Sequence, residues 1–151
     1  MSTKILKEFM GLEKILSVAG KPGLYKLITQ TRTGFVAESL LDRKRITVSL
    51  RSSVSVLSEI AIYTLEEEVP LRDVFKKIQE KENGGKTSIG HKEEKIKLEE
   101  YFFEVLPDYD EDRVYVSDIK KVIQWYNILT ENKITDFSTE EVESEEVSEE
   151  E

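Results

Sequence analysis

The chain has 151 residues and a formal net charge of −9, and it is long enough for one ordinary domain or two very small ones. It contains no cysteine, which excludes disulfides, thiolate metal sites and a cysteine nucleophile. Because charged residues interrupt the N-terminal segment and no apolar run reaches the roughly 20 residues that span a bilayer, we expect a cytoplasmic protein without a signal peptide or a membrane partner.

The N-terminal part predicts a short helical segment and then strands. Apolar residues recur at roughly helical spacing between Thr3 and Val18, which predicts one or two helical turns. Four short segments rich in β-branched and aromatic residues follow: Leu24 to Thr31, Phe35 to Leu41, Arg45 to Leu50 and Ile60 to Thr64. Their short connections favour hairpins, because a parallel crossover needs a dozen or more residues. Residues 1–65 therefore predict an antiparallel meander that curls into a small SH3-like or Sm-like barrel.

From Glu66 onward the pattern is helical. Pro70 stands where a first helical turn tolerates proline, and an apolar stripe follows it: Leu71, Val74, Phe75 and Ile78. A second helix is predicted from about Lys92 to Val105, and a third after Ser117 as its N-cap. Residues 66–135 thus predict a small helical domain and an α+β protein overall. Residues 136–151 lack periodicity and predict a disordered acidic tail.

Three aspartates between the second and third helices alternate like the opening of a calcium-binding loop: Asp108, Asp110 and Asp112. However, Arg113 occupies the position where such a loop needs glycine, and Ile119 the position where it needs a bidentate carboxylate. We therefore expect an EF-hand-like helix-loop-helix shape, with a short extended turn from Val114 to Val116, but no metal and no other cofactor.

Two further features bear on catalysis. The segment from Gly84 to Ser88 contains GKT but lacks the preceding strand and the earlier glycine of a phosphate-binding loop, so it predicts a helix terminator and a flexible link. His91 is the only histidine, which excludes a multi-histidine metal site, and no serine lies in a nucleophile elbow. No catalytic residues are assigned, and an enzyme of unknown class is only the third hypothesis.

The charge is split along the chain. Lys and Arg number 10 against 5 Asp and Glu in residues 1–65, 12 against 17 in residues 66–135, and none against 9 in residues 136–151. The cations of the first part lie in or beside the predicted turns, with two aromatic residues near enough to stack on bases. The candidates for binding nucleic acid or another anion are Lys21, Tyr25, Lys26, Arg32, Phe35, Arg43, Lys44, Arg45 and Arg51. Ordinary solvated turns have the same composition, and the acidic tail masking this basic face is a further hypothesis.

Aromatic residues cluster in the second and third helices, where such spacing is usually typical of a core. Phe103 and Trp125 fall outside the strict apolar stripes, so we predict that they are exposed and contact another protein or a second copy of the chain.

Three segments in this order carry a resemblance: GKPGLYKLITQTRTGFVAESL, IAIYTLEEEVPLRDVFKKI and VLPDYDEDRVYVSDIKKVIQWYNIL. With them the chain resembles a family of uncharacterised bacterial proteins, classed as a domain of unknown function, over nearly everything from Leu12 to Leu129. The resemblance implies a small β-rich part followed by a helical part in a cytoplasmic protein, and it implies no activity, cofactor or site residues.

The sequence therefore favours a non-enzymatic binding module whose basic barrel turns engage nucleic acid or an acidic protein. The alternative is a protein adaptor or a homodimerising structural protein, with Phe103 and Trp125 at the contact.

Overall fold

The computed structural model of the chain describes residues 11–137. These residues contain seven strands and three helices, which we number in chain order: β1 (Ile15–Val18), β2 (Tyr25–Gln30), β3 (Gly34–Ser39), β4 (Arg45–Ser49), β5 (Val54–Val56), β6 (Ala61–Tyr63), β7 (Glu68–Pro70), α1 (Leu71–Lys81), α2 (Lys95–Val105) and α3 (Val116–Glu131). A 3₁₀ turn precedes β1 and another follows β5. The predicted α+β class is confirmed.

Five of the strands form one antiparallel sheet in the order β4-β3-β2-β1-β5. Its edge strands, β4 and β5, do not pair with each other, so the described residues form an open sheet and not the closed barrel that the sequence predicted. Only residues 50–53 separate the two edge strands along the chain. Because so short a connection cannot cross a flat five-stranded sheet, the sheet must curl strongly to bring its edges towards each other.

The strand prediction was right for β2, β3 and β4 and wrong in its details elsewhere. The fourth predicted strand, Ile60 to Thr64, is β6, which pairs with β7 in a separate two-stranded sheet. Ile15–Val18 was predicted to be helical but is β1, which lies between β2 and β5. Both faces of this strand are covered, because Ile15 is buried on one face and Leu16 and Val18 on the other. Apolar residues are therefore adjacent instead of strictly alternating, and Ser17 is the one polar residue of the strand. Residues 3–10 of the predicted helical segment lie outside the described residues.

The three helices agree more closely with the sequence. α1 begins directly after Pro70, and its predicted stripe of Leu71, Val74, Phe75 and Ile78 is buried. α3 begins at Val116, slightly before the predicted start after Ser117. Its N-cap is Tyr115, whose backbone N–H donates to Asp118 Oδ2 at 2.9 Å. The carboxylate of Asp118 therefore stabilises the helix N-terminus from inside the first turn.

Two separate hydrophobic clusters stabilise this arrangement. The main core, as we call it, contains the buried residues of all three helices together with six that precede α1 in the chain: Leu12, Ile15, Leu24, Leu40, Leu57 and Ile62. The sheet cluster, as we call it, lies on the other face of the five-stranded sheet and contains Leu16, Val18, Tyr25, Ala37 and Val48. The main core thus takes residues from both predicted domains, and their predicted boundary at 65/66 falls within the β6–β7 hairpin. The division into two domains stays a prediction.

The C-terminal end of the described chain belongs to the main core. Phe137 is only 3% exposed, and its ring centroid lies 5.3 Å from that of Phe75. Gln79 Nε2 also donates to the backbone oxygen of Thr135 at 2.8 Å. The predicted disordered tail therefore does not begin at residue 136, and the remainder of that prediction, residues 138–151, lies outside the described residues.

Candidate functional site: the basic end of the sheet

The antiparallel topology sorts the predicted basic residues between the two ends of the sheet. The β1–β2 loop and the β3–β4 turn lie at one end, and the β2–β3 turn and the end of β4 lie at the other. The first end, which we call the basic end, carries Lys21, Lys26, Arg43, Lys44 and Arg45. Arg32 and Arg51 lie at the opposite end, so the predicted surface is not one continuous patch.

The register of the sheet places a carboxylate among the cations of the basic end. Lys26, Glu38 and Arg45 are Cα partners across β2, β3 and β4, so their side chains share one face. Glu38 Oε1 lies 3.5 Å from Arg45 Nε, and Glu38 Oε2 lies 3.9 Å from Arg43 Nη1. Since both arginines are more than half exposed, these ion pairs contribute at most about 1 kcal/mol each. Glu38 therefore orients the arginines without strongly stabilising the fold.

The β3–β4 turn is held in one conformation by hydrogen bonds. Arg43 has a φ of 67°, in the left-handed region that non-glycine residues rarely adopt. Its guanidinium donates to Asn132 Oδ1 just after α3, and Asn132 Nδ2 donates to the Leu40 backbone oxygen at 3.2 Å. Asp42 Oδ1 accepts the backbone N–H of Lys44 at 2.9 Å. The end of α3 therefore fixes the turn that presents the basic residues.

Three lysines of the basic end remain available to a partner. Lys21, Lys26 and Lys44 are exposed, and none of them forms an ion pair with another residue of the 11–137 region. Lys133, which the sequence analysis did not single out, follows Asn132 directly and is also exposed. No local signal in the sequence indicates that Lys133 lies near the basic end. The contact that brings them together joins Asn132 and Arg43, which are separated by 89 positions.

The predicted stacking aromatics do not belong to this surface. Tyr25 is only 6% exposed, because its side chain shares the inner face of the sheet with Leu16 and packs in the sheet cluster. The expectation that it offers a ring face to a base is therefore wrong. Phe35 is partly buried against the same cluster, near the end of the sheet opposite to the basic end. The basic end thus offers charge without aromatic stacking.

The two predicted protein-contact residues have different environments. Phe103 is 53% exposed on α2, as predicted. Trp125 is only 8% exposed and belongs to the main core, so the expectation that it is exposed is wrong. The physical reason is that α3 packs on both sides and buries more than one stripe, which includes Ile128 as well as Trp125. A single amphipathic stripe was too narrow a criterion for this helix.

The aspartate loop between α2 and α3 is organised by an arginine. Asp110 Oδ2 accepts a hydrogen bond from Arg113 Nε at 2.8 Å, and Asp110 Oδ1 accepts the backbone N–H of Asp112 at 3.0 Å. The hydrogen bond from Arg113, followed by that from the Asp112 backbone, lowers the pKa of the Asp110 carboxyl. In residues 11–137 no group of three or more His, Asp or Glu side chains is arranged to hold a metal ion. The bridged residue of the loop is Tyr109, which pairs with Thr64. In the stretch from Val114 to Val116 that was predicted to be extended, Tyr115 has an extended backbone, but Val116 already belongs to α3.

The segment after α1 ends the helix as predicted but is not a loosely attached link. The Thr87 backbone N–H donates to Asn127 Oδ1 at 2.9 Å, and Asn127 Nδ2 donates to Thr87 Oγ1 at 2.9 Å. The Tyr126 hydroxyl donates to the Gly85 backbone oxygen at 2.7 Å. Hydrogen bonds with Tyr126 and Asn127, about 40 positions later in the sequence, therefore hold this segment against α3. His91 is half-buried in the same segment.

Comparison with known proteins gives the family. A domain of unknown function (DUF5606) matches residues 12–57, and a domain of unknown function (DUF6852) matches residues 60–129. A solution NMR structure of a protein from Bacteroides vulgatus, from the Northeast Structural Genomics Consortium, is 49% identical. The match covers 83% of this chain and 90% of that chain, with a TM-score of 0.71. The chain belongs to the family of this protein, which is marked in our chain by the two domains of unknown function.

Membership confirms the resemblance expected from the sequence. None of the descriptions of these family members names an enzymatic activity. Among curated proteins none matches the chain. Within residues 11–137 the structure contains no helix with the length and apolar character needed to cross a bilayer.

Proposed function

We propose that this family member is a non-enzymatic binding module whose basic end engages single-stranded nucleic acid. The observation that carries the proposal is the convergence of Lys21, Lys26 and Lys44, exposed and without ion pairs among the described residues, around a turn that Asn132 holds rigid. Because the backbone of this turn is already ordered, little backbone freedom is lost on binding, and the unpaired lysines neutralise phosphates without first breaking an ion pair.

The module binds mainly through contacts with phosphates. Because Tyr25 is buried and Phe35 lies near the other end of the sheet, base stacking contributes little and phosphate contacts dominate. Binding is then nearly independent of base sequence and strongly dependent on salt. With three to five phosphate contacts, log Kobs falls with log salt with a slope of about −2 to −3.5.

The finer description of the fold is part of the same proposal. The strand order β4-β3-β2-β1-β5 and the short link between the edge strands support an SH3-like barrel that is left open between β4 and β5. α2, the loop at 106–115 and α3 support an EF-hand-like helix-loop-helix without its metal. In this description the sheet is the platform for the ligand, and the helical part holds the β3–β4 turn.

Fluorescence anisotropy with a labelled single-stranded thymidine oligonucleotide tests the proposal. Replacing Lys21, Lys26 and Lys44 by Glu should abolish binding at low salt, because these lysines supply the phosphate contacts. The matched control replaces Lys92, Lys95 and Lys97 by Glu, three exposed cations just before and at the start of α2, and changes the net charge equally. The lysines are chosen over Arg43 and Arg45 because those arginines have structural partners.

The anisotropy measurement distinguishes the basic end from a nonspecific effect of net charge. Retained binding by the α2 control and loss in the basic-end variant support the proposal, provided that both variants melt like the wild type. Equal loss in both variants, or no binding by the wild type at low salt, would overturn it. Binding of polyglutamate in place of the oligonucleotide would identify an acidic protein as the partner instead.

We propose a protein adaptor as the second candidate, with an acidic groove on α2 as its contact. Phe103 and Ile96 are 53% and 63% exposed and line a groove of about 400 Å³. Four carboxylates also line it: Glu99, Glu100, Glu104 and Glu111. Exposed apolar side chains among carboxylates match a basic amphipathic helix, whose apolar side would contact Phe103 and whose lysines would face the glutamates.

A lysine-rich amphipathic peptide tests the adaptor function. Replacing Ile96 and Phe103 by Ala should weaken its binding at least ten-fold, because the apolar anchors are removed. Leu50→Ala is the matched control, since Leu50 is 70% exposed directly after β4 and does not line the groove. Equal affinity of all three proteins for the peptide would rule out this groove, and a concentration-dependent mass in sedimentation would indicate a homodimer.

A further inference from the structure

A cleft lies between the sheet and α3. It has a volume of about 330 Å³ and is lined by β1, β5 and β6 on one side and by α3 and the loop before it on the other. The segments matched by the two domains of unknown function, 12–57 and 60–129, both contribute to its walls. Clefts at the junction of two such parts are frequent sites of small-molecule binding.

The deep part of the cleft is apolar and contains an aromatic ring. Trp125 lines it with Val122 from the preceding turn of α3, and Leu71 and Ile62 complete this wall. All four side chains are buried, and Trp125 is the most exposed of them at 8%, so they offer a small apolar surface to the cleft. Such a surface suits a flat apolar group that packs against the indole.

The charged residues at the rim are not equally available. Arg113 is hydrogen-bonded to Asp110, and its guanidinium lies 4.2 Å from the ring centroid of Tyr63. Asp118 accepts the backbone N–H of Tyr115. Lys121 also lines the cleft, is exposed, and has no ion pair within the described region. The rim therefore offers one unengaged positive charge.

Two hydroxyls lie side by side on the sheet side of the cleft. Ser17 and Ser55 are Cα partners across β1 and β5, and both line the cleft. Neither hydroxyl has a hydrogen-bond partner among residues 11–137. Two free hydroxyls and an unengaged ammonium group that line the same cleft supply both donors and charge for an oxyanion.

We propose that this cleft binds a small planar anion, an aromatic carboxylate in chemical class. The ring packs against Trp125, and the carboxylate lies between Lys121 and the hydroxyls of Ser17 and Ser55. The volume of the cleft, about 330 Å³, is near the lower limit of ligand pockets, about 300 Å³, and suits a ligand with a single small ring. None of the residues that line the cleft is a cation of the basic end, so the proposed site does not depend on binding of nucleic acid there.

The single tryptophan makes the proposal directly testable, because Trp125 supplies the only indole N–H signal in an NMR spectrum of the ¹⁵N-labelled full chain. Benzoate should shift that signal saturably, and its uncharged analogue benzamide should bind about five-fold more weakly, as expected for loss of one exposed charge pair. In Lys121→Gln the advantage of benzoate over benzamide should disappear. Lys120→Gln, with the same charge change at the neighbouring exposed position, should retain it.

A second variant tests the hydroxyls. Ser17→Ala with Ser55→Ala should weaken benzoate binding and leave benzamide binding less affected, since the hydroxyls contact the oxyanion. Absence of a saturable shift of the Trp125 signal with benzoate would overturn the proposal. Equal effects of Lys120→Gln and Lys121→Gln would also overturn it, because they would show that only the net charge of the protein matters.

Discussion

The two hydrophobic clusters are enclosed in different ways. The main core is covered by three helices and by one face of the sheet, and it includes large rings that are fully buried, such as Phe75 and Tyr126. Among the described residues, the sheet cluster is packed only against side chains of the five strands, and several of these, including Leu27 and Ile46, are only partly buried. The main core thus depends on packed volume, whereas the sheet cluster depends on the backbone geometry that keeps the sheet curled.

The largest expected effect comes from truncating a ring in the main core. Phe75→Ala should lower the free energy of unfolding by about 3–5 kcal/mol, because the surrounding helices cannot close the cavity. Val48→Ala in the sheet cluster should cost only about 1–2 kcal/mol, since it removes two methyl groups next to a partly open surface. Urea unfolding of both variants measures the difference. Similar losses would mean that the two clusters do not differ as described.

Replacing a glycine at a close contact between two strands should affect the sheet and not the main core. A Cβ placed on Gly34 would lie 1.9 Å from the backbone oxygen of Val48, so β3 and β4 must separate in Gly34→Ala. We expect a loss of about 1–3 kcal/mol or more, as for overpacking, with increased hydrogen exchange confined to the sheet. Gly90→Ala is the control, because a Cβ there meets nothing within 4 Å. Unchanged exchange in β3 and β4 would contradict the dependence of the sheet on its backbone.

The hydrogen-bonded segment on the main-core side gives an intermediate prediction. Asn127→Ala removes both side-chain hydrogen bonds between Asn127 and Thr87, and the backbone N–H of Thr87 loses its acceptor. The free energy of unfolding should fall by about 1–2 kcal/mol, and amide exchange should increase between residues 84 and 91 while the sheet remains protected. Thermal unfolding together with site-resolved exchange tests this. If amide exchange in Asn127→Ala increased in β4 and not between residues 84 and 91, Asn127 would not be what holds this segment to α3.

The smallest predicted effect is a dependence on alkaline pH. Burial, followed by the hydrogen bond that the Tyr101 hydroxyl donates to Glu82, raises the pKa of Tyr101 above its usual value. The folded-state pKa is higher than the unfolded one, near 10, so the stabilisation is complete below about pH 10 and is lost as the pH rises further. Tyr101→Phe should therefore reduce the fall of the urea midpoint between about pH 9 and about pH 11.

Tyr115→Phe, at a position that is 63% exposed, is the matched control for this measurement. An alkaline slope that is the same in Tyr101→Phe and in the wild type would assign the titration to another group.

The sequence predicted the elements whose burial follows one simple period. α1 shows a single apolar stripe with a proline at its start, and β4 alternates with Ile46 and Val48 facing inward, so both were predicted well. β1 and α3 are contacted from two sides, which removes the alternation in one and widens the stripe in the other. That is why β1 was predicted to be helical and Trp125 to be exposed.

The candidate site was predictable in composition but not in arrangement. Turn cations were recognisable in the sequence, but the strand order that separates Arg32 and Arg51 from the other five was not. The contacts of Asn132 with Leu40 and Arg43 join residues about 90 positions apart, and no local pattern indicates such contacts. The cleft next to Trp125 could not be predicted for the same reason, because both of its walls must be in place before it exists.

The position of Phe137 in the main core has a consequence for the time at which the protein folds. During synthesis the chain emerges from its N-terminus, so the strands β1 to β5 leave the ribosome long before Phe137 does. Leu12, Leu24 and Leu57 then lack the partners that bury them until the final part of the described chain has been made. The nascent sheet therefore exposes one apolar face throughout translation of the helices, a period in which a chaperone bound to the emerging chain would protect it from aggregation.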